Sequence, residues 1–591
     1  MPSAQLFSPL LAAPPLAWTQ DYTPHGLPWW ACAAMAALPV VVLFWALAVQ
    51  RLPAPVAAAA GAVTAILVAV YFVGMPFPMA AAAFAYGAAV GLLPIGWIVF
   101  AAMFLYQIAV DTGQFEVMKA SIGRLTADRR LQVLLIAFSF GAILEGAAGF
   151  GTPVAICAAL LVGLGFRPFP AAVLCLIANT APVAWGSIGT PLLMLAKVSD
   201  LPIADLSAMN ARILPITSVV VPLWLVRTMV PWKETLEVLP AILVCGVSFA
   251  VTQYVWGNHV DVGLVDIVAG FVSLAILAVF LTRWRPASVW RFPEDAAADA
   301  EPASNQPAGL ERPRIAPAPA VELTRGSVVR AWLPFIVLFF FVVGWGLLRE
   351  KAGMDRLAWG PLRAKYEVSV PQLDGAVYRT TEVVAPEKAK EPEKAVYELR
   401  WLSATGTSIF AACVVVSILL GHGARGFTQS LGRAATRMRV PILAITPMLG
   451  LAFVTRYSGM DAILGLAFTR TGFLYPFFGT FLGWLGVALT GSDTSSNALF
   501  GSLQRITAEK LGLSPILMCS ANSAGGVMGK MIDAQSIVVS AASASIVGQE
   551  GKILLAVLWH SIALASIVAV IVLMYAYLAP SLIPEGVRLL F

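Results

Sequence analysis

Glu145-Gly146-Ala147-Ala148-Gly149-Phe150-Gly151-Thr152-Pro153 separates two apolar runs, residues 131–144 and 154–164. Glycine and proline interrupt a helix, one by conformational freedom and the other by removing a donor and clashing with the preceding turn. Each flanking run is shorter than the roughly 20 residues a helix needs to cross the hydrocarbon core, and Arg167 follows close behind. Residues 145–153 are therefore expected at the tip of a re-entrant hairpin. Irregular backbone at membrane depth survives only where it lines a cavity or is buried in protein, so the tip marks a site.

The context of that stretch is a membrane protein. The chain has 591 residues, 59% hydrophobic and 12% charged, with a mean hydropathy of +0.82, whereas a soluble domain is roughly 25% charged. Apolar residues run continuously through 29–49, 56–73, 95–110, 238–255, 264–281, 333–348 and 553–578. These runs are rich in Ala and Leu and do not alternate as barrel strands must. The expected fold is an all-α polytopic membrane protein with about 11 to 14 membrane helical segments. Residues 1–28 lack a basic stretch followed by an apolar core and cleavage site, so no removable signal peptide is expected.

The six cysteines are scattered through apolar stretches with no pair at metal-ligand spacing. They are expected to be reduced packing residues, and neither a metal nor a cofactor is expected. The net charge of +6 does not point to nucleic acid, because the basic residues lie between membrane segments, where they set orientation. Two stretches, 119–130 and 421–439, are densely basic and are expected in the cytoplasm. Residues 349–402 then form an extracytoplasmic loop, and 284–327 a cytoplasmic linker rich in Pro, Ala and Glu. A first transmembrane half covers 29–283. A helix at 328–348 and a second half at 403–591 follow the linker.

The halves share landmarks. Ala178-Asn179-Thr180-Ala181 matches Ala521-Asn522-Ser523-Ala524, with Gly186 and Gly529 each seven residues after the asparagine. Upstream, Thr112-Gly113 and Ser458-Gly459 precede Arg124 and Arg470 by the same spacing, and then come Glu145 or Asp493. The second copy carries fewer basic residues, as expected of an inverted repeat, the architecture of many secondary transporters. Convergent packing of small residues is the alternative. The second half accordingly has its own expected hairpin tip, 490–497 (Thr-Gly-Ser-Asp-Thr-Ser-Ser-Asn). The broken helix expected at 179–191 has its counterpart at 522–530.

Four such breaks suit a small anion, since a half-helix N-terminus presents unpaired N–H groups worth roughly half a positive charge. Gly149 and Gly151 would bring backbone close to it. The hydroxyls of Thr152, Thr180, Ser492, Thr494, Ser495 and Ser523 and the amides of Asn179, Asn497 and Asn522 can read a carboxylate and a 2-hydroxyl. Glu145 and Asp493 are acids within the membrane, where a charged carboxylate costs about 2.5 to 3.5 kcal/mol or more, so they are proton-coupling candidates. A helix cap at Glu145 and an Asx turn at Asp493 are the structural alternatives. Lys530 contacts substrate or forms an ion pair with Asp533, three residues on. Arg456, Arg470 and Arg505 are expected to snorkel to interfaces. His560 is expected to be packed and satisfied, and Phe150 and Trp185 to pack beside glycines or to gate the site.

At these residues the chain resembles the bacterial lactate permease family: Glu-Gly-Ala-Ala-Gly-Phe-Gly at 145–151, Asn-Thr-Ala-Pro-Val-Ala at 179–184, and Leu-Gly-Trp-Leu-Gly-Val at 482–487. Further matches are Thr-Gly-Ser-Asp-Thr-Ser-Ser-Asn-Ala-Leu-Phe at 490–500 and Gly-Gly-Val-x-Gly-Lys-Met-Ile at 525–532. The resemblance implies proton symport of L-lactate, D-lactate or glycolate across the bacterial inner membrane, by a protein of the wider ion-transporter superfamily. Two departures stand out. The family usually has Ala at the position of Thr152 and Ser-Pro at that of Asp533-Ala534.

Other classes fit less well. An enzyme would need a nucleophile with its base or a metal cluster, and a sensor would need a folded output domain larger than 284–327. A sodium-coupled carboxylate transporter is the rival, because Asn side chains and backbone carbonyls at broken helices also suit Na⁺.

Overall fold

The computed structural model describes residues 17–292 and 323–590, apart from 51, 148, 150, 352, 360, 361, 385–387 and 547. Residues 293–322 of the expected linker and 1–16 of the N-terminal segment lie outside the described residues, as does Phe150. Among the described residues, ten helices are long and apolar enough to cross a membrane, or eleven if the bent pair Pro168–Ala178 and Val183–Ser199 is one span. Trp29–Phe44, Pro153–Gly163 and Thr405–Leu420 are shorter apolar helices. The chain is an all-α polytopic membrane protein.

Both basic stretches are largely helical, with only 124–128 and 421–422 outside helices. Arg425, Arg433, Arg437 and Arg439 lie on the helix Gly423–Ser458, and Lys119 lies on Gln114–Gly123. Arg, Gln, Met and Ala are strong helix formers, and propensity carries the helix beyond the apolar run. The charged segment 349–402 is likewise more than a loop. It contains the antiparallel ribbon Lys365–Ser369 with Val396–Arg400, while Val377–Tyr378 pairs in parallel with Trp18–Thr19.

Eight helices position the site. The first hairpin is α1 (Arg129–Ala147) and α2 (Thr152–Gly163), and the bent pair follows as α3 (Pro168–Ala178) and α4 (Gly186–Ser199). Behind them runs α5 (Val265–Arg283). The second half contributes α6 (Tyr475–Thr490), α7 (Asp493–Leu511) and α8 (Pro515–Gly529).

Both tips are narrower than expected. Glu145 to Ala147 end α1 and Thr152 begins α2, with Gly149 and Gly151 between them at φ 58° and 78°. In the second half only Gly491 (φ 75°) and Ser492 interrupt the chain. Helix α1 is buried from Arg130 to Ala147. Its polar start is tolerated because Arg130 pairs with Asp128 at 2.7 Å and Glu237 at 3.1 Å.

The first break is present: α3 and the segment Val183–Ser199 meet at 67°, and Ser187, Ile188 and Gly189 take positive φ. The break expected at 522–530 is not. Helix α8 is continuous from Pro515 to Gly529, and its regular path ends only at Lys530–Ile532. Glycines in this region serve close packing: a Cβ on Gly483 of α6 would overlap the Asn522 carbonyl, and one on Gly529 would overlap that of Trp484. Composition alone cannot distinguish a glycine that breaks a helix from one that lets two helices touch.

Candidate functional site

The end of α1, the bend before α4, the start of α7 and the end of α8 meet around a small cavity. Glu145, Asp493 and Lys530 supply its ionisable groups, and Gly186, Ser187, Gly491, Ser492 and Thr494 its small polar wall. Val183 and Pro191 add an apolar side. The halves of the chain thus meet at one site, although each contributes different chemistry.

Glu145 is 3% exposed, and its Oε2 has no hydrogen-bond partner. It occupies the space that a side chain at Gly186 would fill: a Cβ there would lie 2.8 Å from Oε1 and 3.4 Å from Cγ. Asn179 follows the last turn of α3, with neither amide atom hydrogen-bonded. Thr180 is spent locally, donating to the Ile177 carbonyl at 2.8 Å. Trp185 is fully buried, outside the cavity lining, and donates from Nε1 to Ser207 at 3.1 Å, a packing role. Gly149 faces Ser187 and Glu145, whereas Gly151 faces Ser536. Nothing is described of the Thr152 side chain, although its backbone opens α2.

In the second half, Ser492 caps α7, its hydroxyl accepting from the Ser495 N–H at 3.3 Å. Asp493 accepts from Ser523 Oγ at 2.6 Å and Asn497 Nδ2 at 3.2 Å, both through Oδ2. Its Oδ1 has no partner and is held against Gly526 of α8. Asn497 also donates to the Pro191 carbonyl at 3.1 Å, linking α7 to α4. Asn522 donates to Asn497 Oδ1 at 2.9 Å and accepts from Gln504 at 3.2 Å. Asn497, Asn522 and Ser523 therefore form a network behind Asp493 and do not line the cavity, and neither does Ser495.

Lys530 does line it. Its ammonium is buried, donates to the Gly491 carbonyl at 2.6 Å and lies 3.0 Å from Asp533 Oδ2. Two arginines expected to snorkel do something more specific. Arg456 donates to the Lys197 carbonyl at 3.1 Å and Arg505 to that of Ser199 at 2.6 Å, closing the C-terminal end of α4 from the other half of the chain. Arg470 lies over Trp29, 4.1 Å from the ring centroid. His560 accepts from Trp224 Nε1 at 2.9 Å, so it is packed and satisfied.

Asp266 was not singled out by the sequence reading. Asp266 is fully buried in the first turn of α5, and neither carboxyl oxygen has a partner. The signal was available, since Asp266 lies inside the apolar run 264–281 and meets the same intramembrane criterion as Glu145 and Asp493.

Comparison with known proteins identifies the family. The description of the family "L-lactate permease" matches residues 32–579. The chain belongs to the L-lactate permease family. It is 44% identical over 568 residues to glycolate permease GlcA of Escherichia coli (strain K12), covering 95% of this chain and 98% of that protein. It is 41% identical over 577 residues to L-lactate permease of Bacillus subtilis (strain 168), covering 96% of this chain and 100% of that protein. The solved YdaH transporter of Alcanivorax borkumensis aligns at a TM-score of 0.40 with 14% identity, over 84% of this chain and 87% of its own. As a member of a permease family the chain is a membrane transporter, not an enzyme.

Proposed function

We propose that the chain carries L-lactate and related 2-hydroxymonocarboxylates, D-lactate and glycolate, together with a proton across the bacterial inner membrane. The names of its relatives supply the substrate class. The observation that carries the reading is the cavity itself, where a buried ammonium and the N-terminus of α7 face two buried acids.

In this reading the substrate carboxylate takes Lys530 and the first N–H groups of α7, each a favourable partner for an anion. Ser492 and Thr494 offer hydrogen bonds to the 2-hydroxyl, and Val183 and Pro191 accept the methyl group. Glu145 and Asp493 must be neutral for the anion to enter, because like charges in a low dielectric repel strongly. A carboxylic acid that loses its proton once the cavity opens inward couples the two fluxes. One lactate with one proton is electroneutral, so uphill accumulation follows the pH gradient at about 1.4 kcal/mol per unit.

The same reading places stretches 119–130 and 421–439 in the cytoplasm, 349–402 outside, and relates the two halves as an inverted repeat. The decisive experiment is uptake of labelled L-lactate into proteoliposomes under an inward proton gradient, with and without sodium. Uphill uptake that needs the pH gradient, ignores sodium and is lost in Glu145→Gln is the expected result. Sodium-dependent uptake would overturn proton coupling in favour of a sodium-coupled carboxylate transporter.

A further inference from the structure

Asp533 carries a charge that its place in the chain does not require. Its Oδ1 accepts from the Ser536 N–H at 2.9 Å and its carbonyl from the Ile537 N–H at 3.1 Å, so it begins the helix Ala534–Ser543. That task needs only a side-chain acceptor, and Ser or Asn performs it about as well as Asp. The carboxylate is nevertheless 0% exposed, where an ionised group persists only beside a counter-charge. The counter-charge is Lys530, whose ammonium lies 3.0 Å from Oδ2.

The pair straddles the cavity wall. Lys530 and Gly491 line the cavity and Asp533 does not. Asp533 packs directly behind Gly491, such that a Cβ on the glycine would lie 2.9 Å from Oδ1. An ammonium has three donors. One of them goes to the Gly491 carbonyl at 2.6 Å, while Oδ2 stands at ion-pair distance without an aligned hydrogen bond. Asp533 therefore balances the charge of the lysine and leaves it N–H groups to offer. Among the described residues that line the cavity Lys530 is the one cation, so an anion entering there meets donors whose charge is already balanced.

We propose that Asp533 sets how tightly the transport site holds its anion, by competing with the cargo carboxylate for Lys530. The proposal rests on Lys530 as the partner of that carboxylate, as read above. In the empty site the ammonium is balanced by Asp533 and stays buried without cargo. In the loaded site two carboxylates share one cation and repel each other, which keeps binding weak and release fast. A neutral residue at 533 would leave Lys530 to the cargo alone, and the anion would bind more tightly and depart more slowly. The repulsion scales with the charge of the cargo, so its removal favours a dianion more than a monoanion.

The test measures exchange of labelled for unlabelled lactate at equal pH in proteoliposomes holding wild type, Asp533→Asn, Asp533→Ser or Asp533→Glu. The competitor is tartronate, in which a second carboxylate replaces the methyl group of lactate. In Asp533→Asn and Asp533→Ser the half-saturating lactate concentration should fall about tenfold or more, and the exchange rate at saturation should fall with it. The inhibition constant of tartronate should fall by a larger factor than that of lactate, and lactate should raise the Tm of both variants more than that of wild type. Asp533→Glu, which keeps the charge, should stay near wild type. An unchanged half-saturating concentration in the neutral variants, or equal shifts for lactate and tartronate, would overturn the proposal while leaving lactate transport intact. Neutral variants that neither exchange lactate nor gain Tm from it would overturn it too, by assigning Asp533 to packing alone. A wild type that exchanges no lactate would instead remove the reading of lactate as cargo.

Discussion

The Lys530 ammonium donates to the Gly491 carbonyl at 2.6 Å, tying the end of α8 to the turn that precedes α7. A buried cation thereby sits at the mouth of a helix N-terminus, with Asp533 3.0 Å away as its counter-charge. The arrangement gives the cavity a fixed positive wall without leaving that charge unpaired.

Lys530→Met should therefore weaken lactate uptake by about tenfold or more, since a hydrogen bond to a charged group is worth about 1.5–3 kcal/mol. It should also destabilise the protein by about 3–5 kcal/mol, because Asp533 is left as a lone buried acid. Adding Asp533→Asn should recover most of the stability, read as Tm in detergent, but not transport. Recovery of transport in the double variant would show that the lysine serves only its ion pair.

Gly186→Ala should fold yet transport poorly. The new Cβ would lie 2.8 Å from Glu145 Oε1, and the backbone at Gly186 (φ −56°, ψ 154°) accepts alanine. The strain falls on the carboxyl, and a displacement of this size in a positioned group costs about 10- to 100-fold. Unchanged uptake with an unchanged Tm would show that the Glu145 position does not matter.

Ser523→Ala removes the 2.6 Å donor to Asp493 Oδ2. Asp493 Oδ1 is already without a partner, so the variant should cost about 1–3 kcal/mol in stability. Ser523→Thr, which keeps the hydroxyl, is the control. A Tm equal to wild type in Ser523→Ala would mean that Asp493 finds another donor.

Arg456→Met and Arg505→Met each uncover carbonyls at the end of α4. Each should cost about 1–3 kcal/mol and speed hydrogen exchange in 190–199. Their effects should not add, because both arginines close the same helix end.

The ribbon Lys365–Ser369 with Val396–Arg400 should loosen in acid. Burial pushes the Glu398 carboxyl up, but the hydrogen bond from Lys365 and the charges of Arg400 and Lys365 outweigh it and hold the group below its ordinary value. A lowered carboxyl stabilises above the unfolded value and loses that contribution as pH falls through the folded one. Protection from hydrogen exchange across 365–369, taken relative to the intrinsic rate at each pH, should therefore fall below about pH 4, and Glu398→Gln should abolish that fall.

Much of this was legible in the chain. Continuous apolar runs reveal membrane helices because no water is available to a lipid-exposed backbone, and an acid within such a run is too costly to be incidental. Hence Glu145 and Asp493 could be picked out together with Lys530, and the structure brings all three to one cavity. The polar residues near them were harder to sort. Thr180, Asn497, Asn522 and Ser523 have the same side chains as cavity-lining residues, yet each is consumed by a local or inter-helix hydrogen bond.

What the sequence determined by itself was the class of molecule, the hairpin turn at Gly149 and Gly151 and the bend after Asn179, because these follow from local backbone chemistry and from the solvent the chain must live in. What only the tertiary structure decided was which glycines break helices and which let them touch. Gly525 and Gly529 look like Gly149 and Gly151 in composition, but α6 approaches α8 so closely that side chains there would overlap its carbonyls. Asp266 and Gly146 are far apart in the chain and meet only because α5 packs on α1. Contact between distant segments is set by packing geometry, which no local pattern encodes.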